Sequence, residues 1–155
     1  MDPEKPKEIL ESGEVTLESV DTNNLRRLFS LQGFAGVVDI AGSYRIIDSS
    51  VRGGGMTGFI AVKGKEDIGY VLFQVLASSL HIDYIFVRPE YRRGDKTFLK
   101  LLRCAVDFAK VNEIRKIKGD SINPLLSRAI SSLRSGDSDE VSVEALDARL
   151  SKMGA

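Results

Sequence analysis

Three runs rich in Val, Ile, Phe and Tyr, namely Thr57–Lys63, Ile68–Ala77 and Leu80–Val87, are separated only by Gly64-Lys65-Glu66-Asp67 and by Ser78-Ser79. Connections that short join antiparallel neighbours, so the runs read as a meander. Pro89 then ends the third strand, because it has no N–H to offer a ladder. Beyond it, Phe98, Leu101, Leu102, Ala105, Val106, Phe108 and Ala109 recur at helical spacing from about Lys96 to Asn112. They form one apolar stripe. Ile114 and Ile117 alternate with charged residues, as in a short strand. Strand, long helix, strand is a crossover unit, normally right-handed. The expected fold is α/β: a mixed sheet with an antiparallel meander followed by a strand–helix–strand crossover, and helices on both faces.

The flanking sequence is read less sharply. Residues 1–13 carry two prolines and several charges and are expected to form a flexible N-terminal arm. Val15, Leu17 and Ser19 suggest a first strand, and Asp21 or Thr22 a cap for a helix bearing Leu25, Leu28 and Phe29. From Gly33 to Gly55 the pattern weakens, because Gly33, Gly36 and Gly42 interrupt any long helix. Gly53-Gly54-Gly55 reads as a flexible loop at the rim of a substrate groove, or as a plain connection. Asn123 and Pro124 open a further helix with Leu125, Leu126, Ala129, Ile130 and Leu133, and Gly136 stops it. The domain is therefore expected to span residues 14–136. A polar C-terminal tail, 137–155, has a helical pattern through Val141, Val143, Leu146 and Leu150.

Composition narrows the function. The chain has 155 residues, enough for one domain. Its 22 Lys and Arg balance 22 Asp and Glu, so no overall field draws it to nucleic acid or anionic lipid. The basic run Arg88 to Arg103 is the only support for nucleic-acid binding. Cys104 has no second cysteine to pair with, and His81 is the single histidine, which removes the usual Cys/His zinc sites. No apolar run nears the roughly 20 residues of a membrane helix, and the N-terminus lacks an apolar signal core. A cytoplasmic location is expected, or the host cytoplasm or virion for a viral chain. There is no Gly-x-Ser-x-Gly elbow, and Gly53-Gly54-Gly55 lacks the Gly-Lys-Ser/Thr ending of a P-loop. Cys104 lies among apolar helix positions and reads as a packed, inert thiol.

The stretch Ile85-Phe86-Val87-Arg88-Pro89-Glu90-Tyr91-Arg92-Arg93-Gly94, then Phe98-Leu99-Lys100-Leu101-Leu102, is the most distinctive. Between a meander and a further strand, it resembles the GNAT superfamily of acyl-CoA-dependent N-acetyltransferases. The resemblance covers residues 57–133, about half the chain. It implies acetyl-CoA as co-substrate. The pyrophosphate would sit on Arg92, Arg93, Gly94, Asp95, Lys96 and Thr97, and the thioester arm would run along the backbone of Ile85, Phe86 and Val87. Asn123 falls where many relatives also have Asn. Backbone amides at a helix start do favour anions. The family loop reads Arg/Gln-x-x-Gly-x-Gly/Ala. Counted from Arg92 its glycine positions hold Asp95 and Thr97; counted from Tyr91 it recovers Gly94 and ends on Lys96. Asp95 also places a negative charge beside the phosphates, which Arg92, Arg93, Lys96 and Lys100 offset.

For the chemistry, Asp83 is the candidate base by position, with Tyr84 and His81 beside it. Tyr84 or Ser127 would protonate a departing thiolate. Many relatives carry a Tyr about seven residues after the Asn; here Ile130 stands there and no Tyr follows Tyr91. Two functions follow. One is an N-acyltransferase moving an acetyl group from acetyl-CoA to a small-molecule or protein amine. The other is a catalytically inactive binding or assembly module of the same fold, for instance in a viral or phage particle. A homo-oligomer or larger assembly is compatible with either.

Overall fold

In the computed structural model, residues 15–31, 40–91, 96–119 and 140–152 are described. The meander forms as three long strands, β2 (Met56–Lys63), β3 (Glu66–Leu76) and β4 (Ser79–Val87), after β1 (Val15–Ser19). The first connection is tighter than the composition suggests, and the second is shifted by one residue. Glu66 and Asp67 belong to β3, leaving Gly64 (φ 65°) and Lys65 as a two-residue turn. Ala77 and Ser78, at φ 50° and 71°, make the other. Positive φ at both Ala77 and Ser78 matches the right-handed twist of the paired strands.

A turn of 3-10 helix at Pro89–Tyr91 leads to α3 (Lys96–Val111), and β5 (Lys116–Gly119) returns parallel to β4. The sheet order β1-β2-β3-β4-β5-β6 is antiparallel except for this β4–β5 pair. The sixth strand, β6 (Glu140–Ser142), and the following helix α4 (Val143–Lys152) come from the stretch set aside above as a polar tail. Val141, Val143, Leu146 and Leu150 are buried there, so the stretch is part of the core. Its polarity misleads because only one face of a short amphipathic element needs to be apolar.

Side chains alternate across the sheet and build two cores. On one face, Val71, Phe73, Ile82, Ile85 and Val87 meet Phe98, Leu102 and Val106 of α3, with Leu146 and Leu150 beside them. On the other, Ile60, Tyr70 and Leu72 are covered by Leu25, Leu28 and Ile47. These last come from α1 (Arg26–Phe29) and its entry turn, where Asp21 Oδ1 accepts the N–H groups of Asn23 and Asn24 at 2.8 and 3.1 Å, and from α2 (Ile40–Arg52).

The helix α2, of 13 residues, corrects the expectation at Gly42, through which it runs; Gly33 and Gly36 lie outside the described residues. Ile47 is buried and Val51 half-buried, and a packed face outweighs the roughly 1 kcal/mol that an interior glycine costs. The triple glycine is likewise more than a flexible loop. Gly54 adopts φ 78°. Its N–H reaches Val51 O at 3.1 Å, and that of Gly55 reaches Ser50 O at 2.9 Å. This is a Schellman cap, which satisfies the last carbonyls of α2 and turns the chain into β2. No described helix is long and apolar enough to cross a membrane.

Candidate functional site

Of the sequence-predicted residues, Asp83, Tyr84, Ile85, Phe86 and Val87 lie on β4. Its pairing with β3 runs from Gly69↔Val87 to Leu72↔Tyr84 and resumes at Phe73↔Ile82, so the register steps over Asp83. This is a β-bulge, which locally twists a strand and re-aims a side chain. It also resets the alternation. Leu80 and Ile82 enter the α3-side core before it, and Ile85 and Val87 after it. Tyr84 and Phe86 then pack on the opposite core. Ile85 and Val87, with buried side chains, pair along the ladder with Val71 and Gly69 of β3.

Asp83 is half-buried, and Gln74 Nε2 donates to its Oδ2 at 2.6 Å. Gln74 stands opposite His81 in the ladder, which makes amide, imidazole and carboxylate neighbours. One step along, burial and then Tyr84 push the Tyr70 phenol well above the ordinary tyrosine range, so Tyr70 stays protonated. The Phe86 ring lies 5.8 Å from that of Tyr70. On the other side of β4, the described parallel ladder runs from Ser79↔Lys116 to Ile82↔Gly119. It therefore reaches the residue before the bulge.

The bend after β4 is fastened to the β2–β3 hairpin. Arg88 N–H bonds Ile68 O at 2.8 Å. The Tyr91 phenol donates to Glu66 Oε1 at 2.6 Å and the Arg88 guanidinium to Glu66 Oε2 at 2.7 Å. Lys63 Nζ stands 5.7 Å from the Tyr91 ring centroid. Tyr91, and then Arg88, hold the Glu66 carboxyl below its ordinary range, while the bond to Glu66 raises the Tyr91 phenol.

Arg92, Arg93, Gly94 and Asp95 lie outside the described residues, as do Asn123 and Ser127. α3 starts immediately afterwards with exposed Lys96 and buried Thr97, and its first turn holds no acidic residue. A helix of 16 residues starting at the C-terminal end of β4, with a cation and no carboxylate in its first turn, fits a phosphate-bearing group. The Lys100 ammonium donates to Val15 O at 3.0 Å and ties α3 to β1. Cys104 is half-buried, and burial, then Asp107, push its thiol up to about 11.

Two residues of this region escaped the sequence reading. Gln74 had a signal, as the one amide in the apolar run Tyr70–Leu76. Glu66 had none, because it reads as a loop residue. Among the described residues a cavity of about 1020 Å³ lies away from all of this. Lys110, Ile114, Arg115, Lys116 and Glu140 line it, at the N-terminal end of β5. A smaller cavity, about 140 Å³, is lined by Gly54, Gly55, Thr57 and Gln74 together with Phe73 and Phe108.

No protein-family profile matches the sequence, and no curated protein does. Solved structures match in fold. A predicted acetyltransferase from Clostridium acetobutylicum, solved with acetyl-CoA, is 12% identical with a TM-score of 0.65, over 80% of this chain and 93% of that one. The PaiA N-acetyltransferase from Thermoplasma acidophilum, in complex with coenzyme A, is 14% identical with a TM-score of 0.61, over 83% and 96%. An aminoglycoside acetyltransferase from an uncultured soil metagenomic sample, in complex with sisomicin, is 15% identical with a TM-score of 0.59, over 79% and 87%. With its meander, its single parallel pair and its helices on both faces of the sheet, this chain has the fold of the GNAT acetyltransferases.

Proposed function

We propose that the protein is an acyl-CoA-dependent N-acyltransferase that moves an acetyl group to an amine by direct transfer. The observation that carries this reading is the half-buried carboxylate of Asp83 at a bulge, on the strand that leads into a basic bend and a long helix. The fold, shared with structures solved with acetyl-CoA and coenzyme A, supports it. Acetyl-CoA, when bound, would supply a thioester activated toward an amine nucleophile.

In this reading Arg92, Arg93, Gly94, Asp95, Lys96 and Thr97 cradle the pyrophosphate, with Asn123 beyond the next strand. The main chain of Ile85, Phe86 and Val87 aligns the acyl arm. Asp83 takes up the proton of the incoming ammonium. A carbon–nitrogen bond forms, the carbon–sulfur bond breaks, and Tyr84 or Ser127 returns a proton to the departing sulfur. The acceptor is a small-molecule or protein amine, and the sisomicin-bound neighbour favours the small molecule.

Calorimetry and thermal shift with acetyl-CoA and CoA test the proposal. A ligand that binds only the folded chain stabilises it by about 2.7 kcal/mol at 100 times its Kd. The expected result is a melting temperature that climbs with ligand concentration. No shift at millimolar concentrations of either ligand ends the acyltransferase reading. Binding without release of free CoA thiol across a panel of primary amines would instead support the inactive binding or assembly module.

A further inference from the structure

We infer that Gln74 is a positioning residue that sets the orientation of the Asp83 carboxylate; the inference rests on Asp83 serving as the base. Gln74 is the one amide in the run Tyr70–Leu76 and sits half-buried where the strand leaves the core: Tyr70, Val71, Leu72 and Phe73 before it are buried, and Val75 and Leu76 after it are exposed. Burying an amide is costly unless its hydrogen bonds are kept. The bond kept here is the one at 2.6 Å to Asp83 Oδ2.

The geometry makes that bond specific. At a bulge the backbone no longer fixes the side-chain direction as a regular ladder does, so Asp83 needs a second constraint. Gln74 supplies it from the neighbouring strand, one ladder step away, opposite His81. As a neutral donor it has no titrating proton of its own. It therefore stabilises the ionised carboxylate and holds one oxygen while proton transfer involves the group as a whole. Gln74 also lines the 140 Å³ cavity with Gly54, Gly55 and Thr57, which links that space to the carboxylate.

Other titratable groups bear on this face of the sheet. β4 contributes His81 and Tyr84, and β3 contributes Tyr70. α2, packed over the same face, carries exposed Arg45 and an Asp48–Arg52 pair at 2.8 Å.

The test is carbon NMR of the full chain labelled at the aspartate carboxyl carbon, without ligand, with the Asp83 signal assigned from Asp83→Asn. In Gln74→Leu the titration midpoint of Asp83 is expected to rise by about one pH unit, since a donor to the charged form is gone. In Gln74→Glu the two carboxyls are expected to titrate in coupled steps. Gln74→Met, close to Gln in length, replaces Gln74→Leu if that variant does not fold. An unchanged Asp83 midpoint in a folded Gln74→Leu or Gln74→Met chain overturns the inference and leaves the base reading standing. An unaltered pH–rate profile of acetyl transfer in Asp83→Asn overturns the base reading, and with it any catalytic meaning of the bond.

Discussion

Cys104 shows how environment, more than residue type, sets reactivity. Burial removes the thiolate from water and Asp107 adds a like charge, so the thiol is protonated across the physiological range. In the folded chain at pH 8, Cys104 is expected to react with a disulfide reagent at least tenfold more slowly than in the unfolded chain; equal rates would refute the packed environment. Asp95 makes the opposite case under the proposed function, in which sequence order sets its charge beside the bound pyrophosphate. Two like charges 4 Å apart repel by about 4 kcal/mol at an effective dielectric of 20. Neighbouring Arg92, Arg93 and Lys96 cancel much of this. Asp95→Gly is therefore expected to tighten CoA binding by roughly three- to tenfold in calorimetry. Unchanged or weaker binding would remove the inhibitory role of this carboxylate.

Among the elements, the β3–β4 hairpin carries visible backbone strain. Ala77 and Ser78 both hold positive φ, at 50° and 71°, where a side chain meets the following carbonyl. Ser78→Gly relieves that clash and loosens the unfolded chain, with a net gain expected of about 0.5–1 kcal/mol in urea denaturation. A loss of stability would show that the Ser78 side chain contributes something the backbone geometry does not reveal. Close approach makes the reverse demand in β2. A Cβ on Gly58 would fall 1.9 Å from the Val71 carbonyl oxygen, so only glycine lets these two strands meet.

The assembled domain closes its first core with its last helix. Leu146 is fully buried against α3, and Asp147 next to it pairs with Arg103 and, at 3.0 Å, with Lys110. Leu146→Ala is expected to cost about 2–5 kcal/mol of global stability, read from denaturant unfolding; a loss confined to α4, with the sheet intact, would show that the helix docks independently. Three carboxyls make the molecule sensitive to acid. Arg103, then Lys110, lower Asp147; Tyr91, then Arg88, lower Glu66; Ser79 lowers Glu140 before Lys116 contributes. Each binds its proton less readily when folded, so its contribution is complete above the unfolded values of 3.8 and 4.5 and is lost as pH falls through the depressed ones. Stability is expected to decline from about pH 5 downward, and Asp147→Asn to flatten part of that decline. An acid profile identical to the parent's would exclude Asp147 from it.

What could be read from residue order was whatever repeats locally. The apolar alternation of β2 to β4 and the stripe from Phe98 to Ala109 are written at periods of two and 3.6, and each announces its element without a partner. The crossover followed from them, because a long helix between two strands returns the second one parallel. Residue order also placed Asp83 and Tyr84 on the third strand of the meander and Lys96 and Thr97 at the start of the long helix, where the structure has them. Features that exist only in pairing did not come through. The register step at Asp83 depends on where β3 places its partners, and nothing in His81 to Ile85 marks it. Gln74 gains its meaning from a carboxylate nine residues away, and Glu66 from Tyr91 and Arg88 across a hairpin. The strand at Glu140–Ser142 is three residues long and exists because β5 pairs with it and the Ser79 hydroxyl meets Glu140 at 2.5 Å. The helix at Ile40–Arg52 stands despite Gly42 because Ile47 finds a core to fill. Periodicity is a property of neighbours along the chain, whereas register, caps and cross-strand polar pairs are properties of neighbours in space, and those appear only once the sheet has formed.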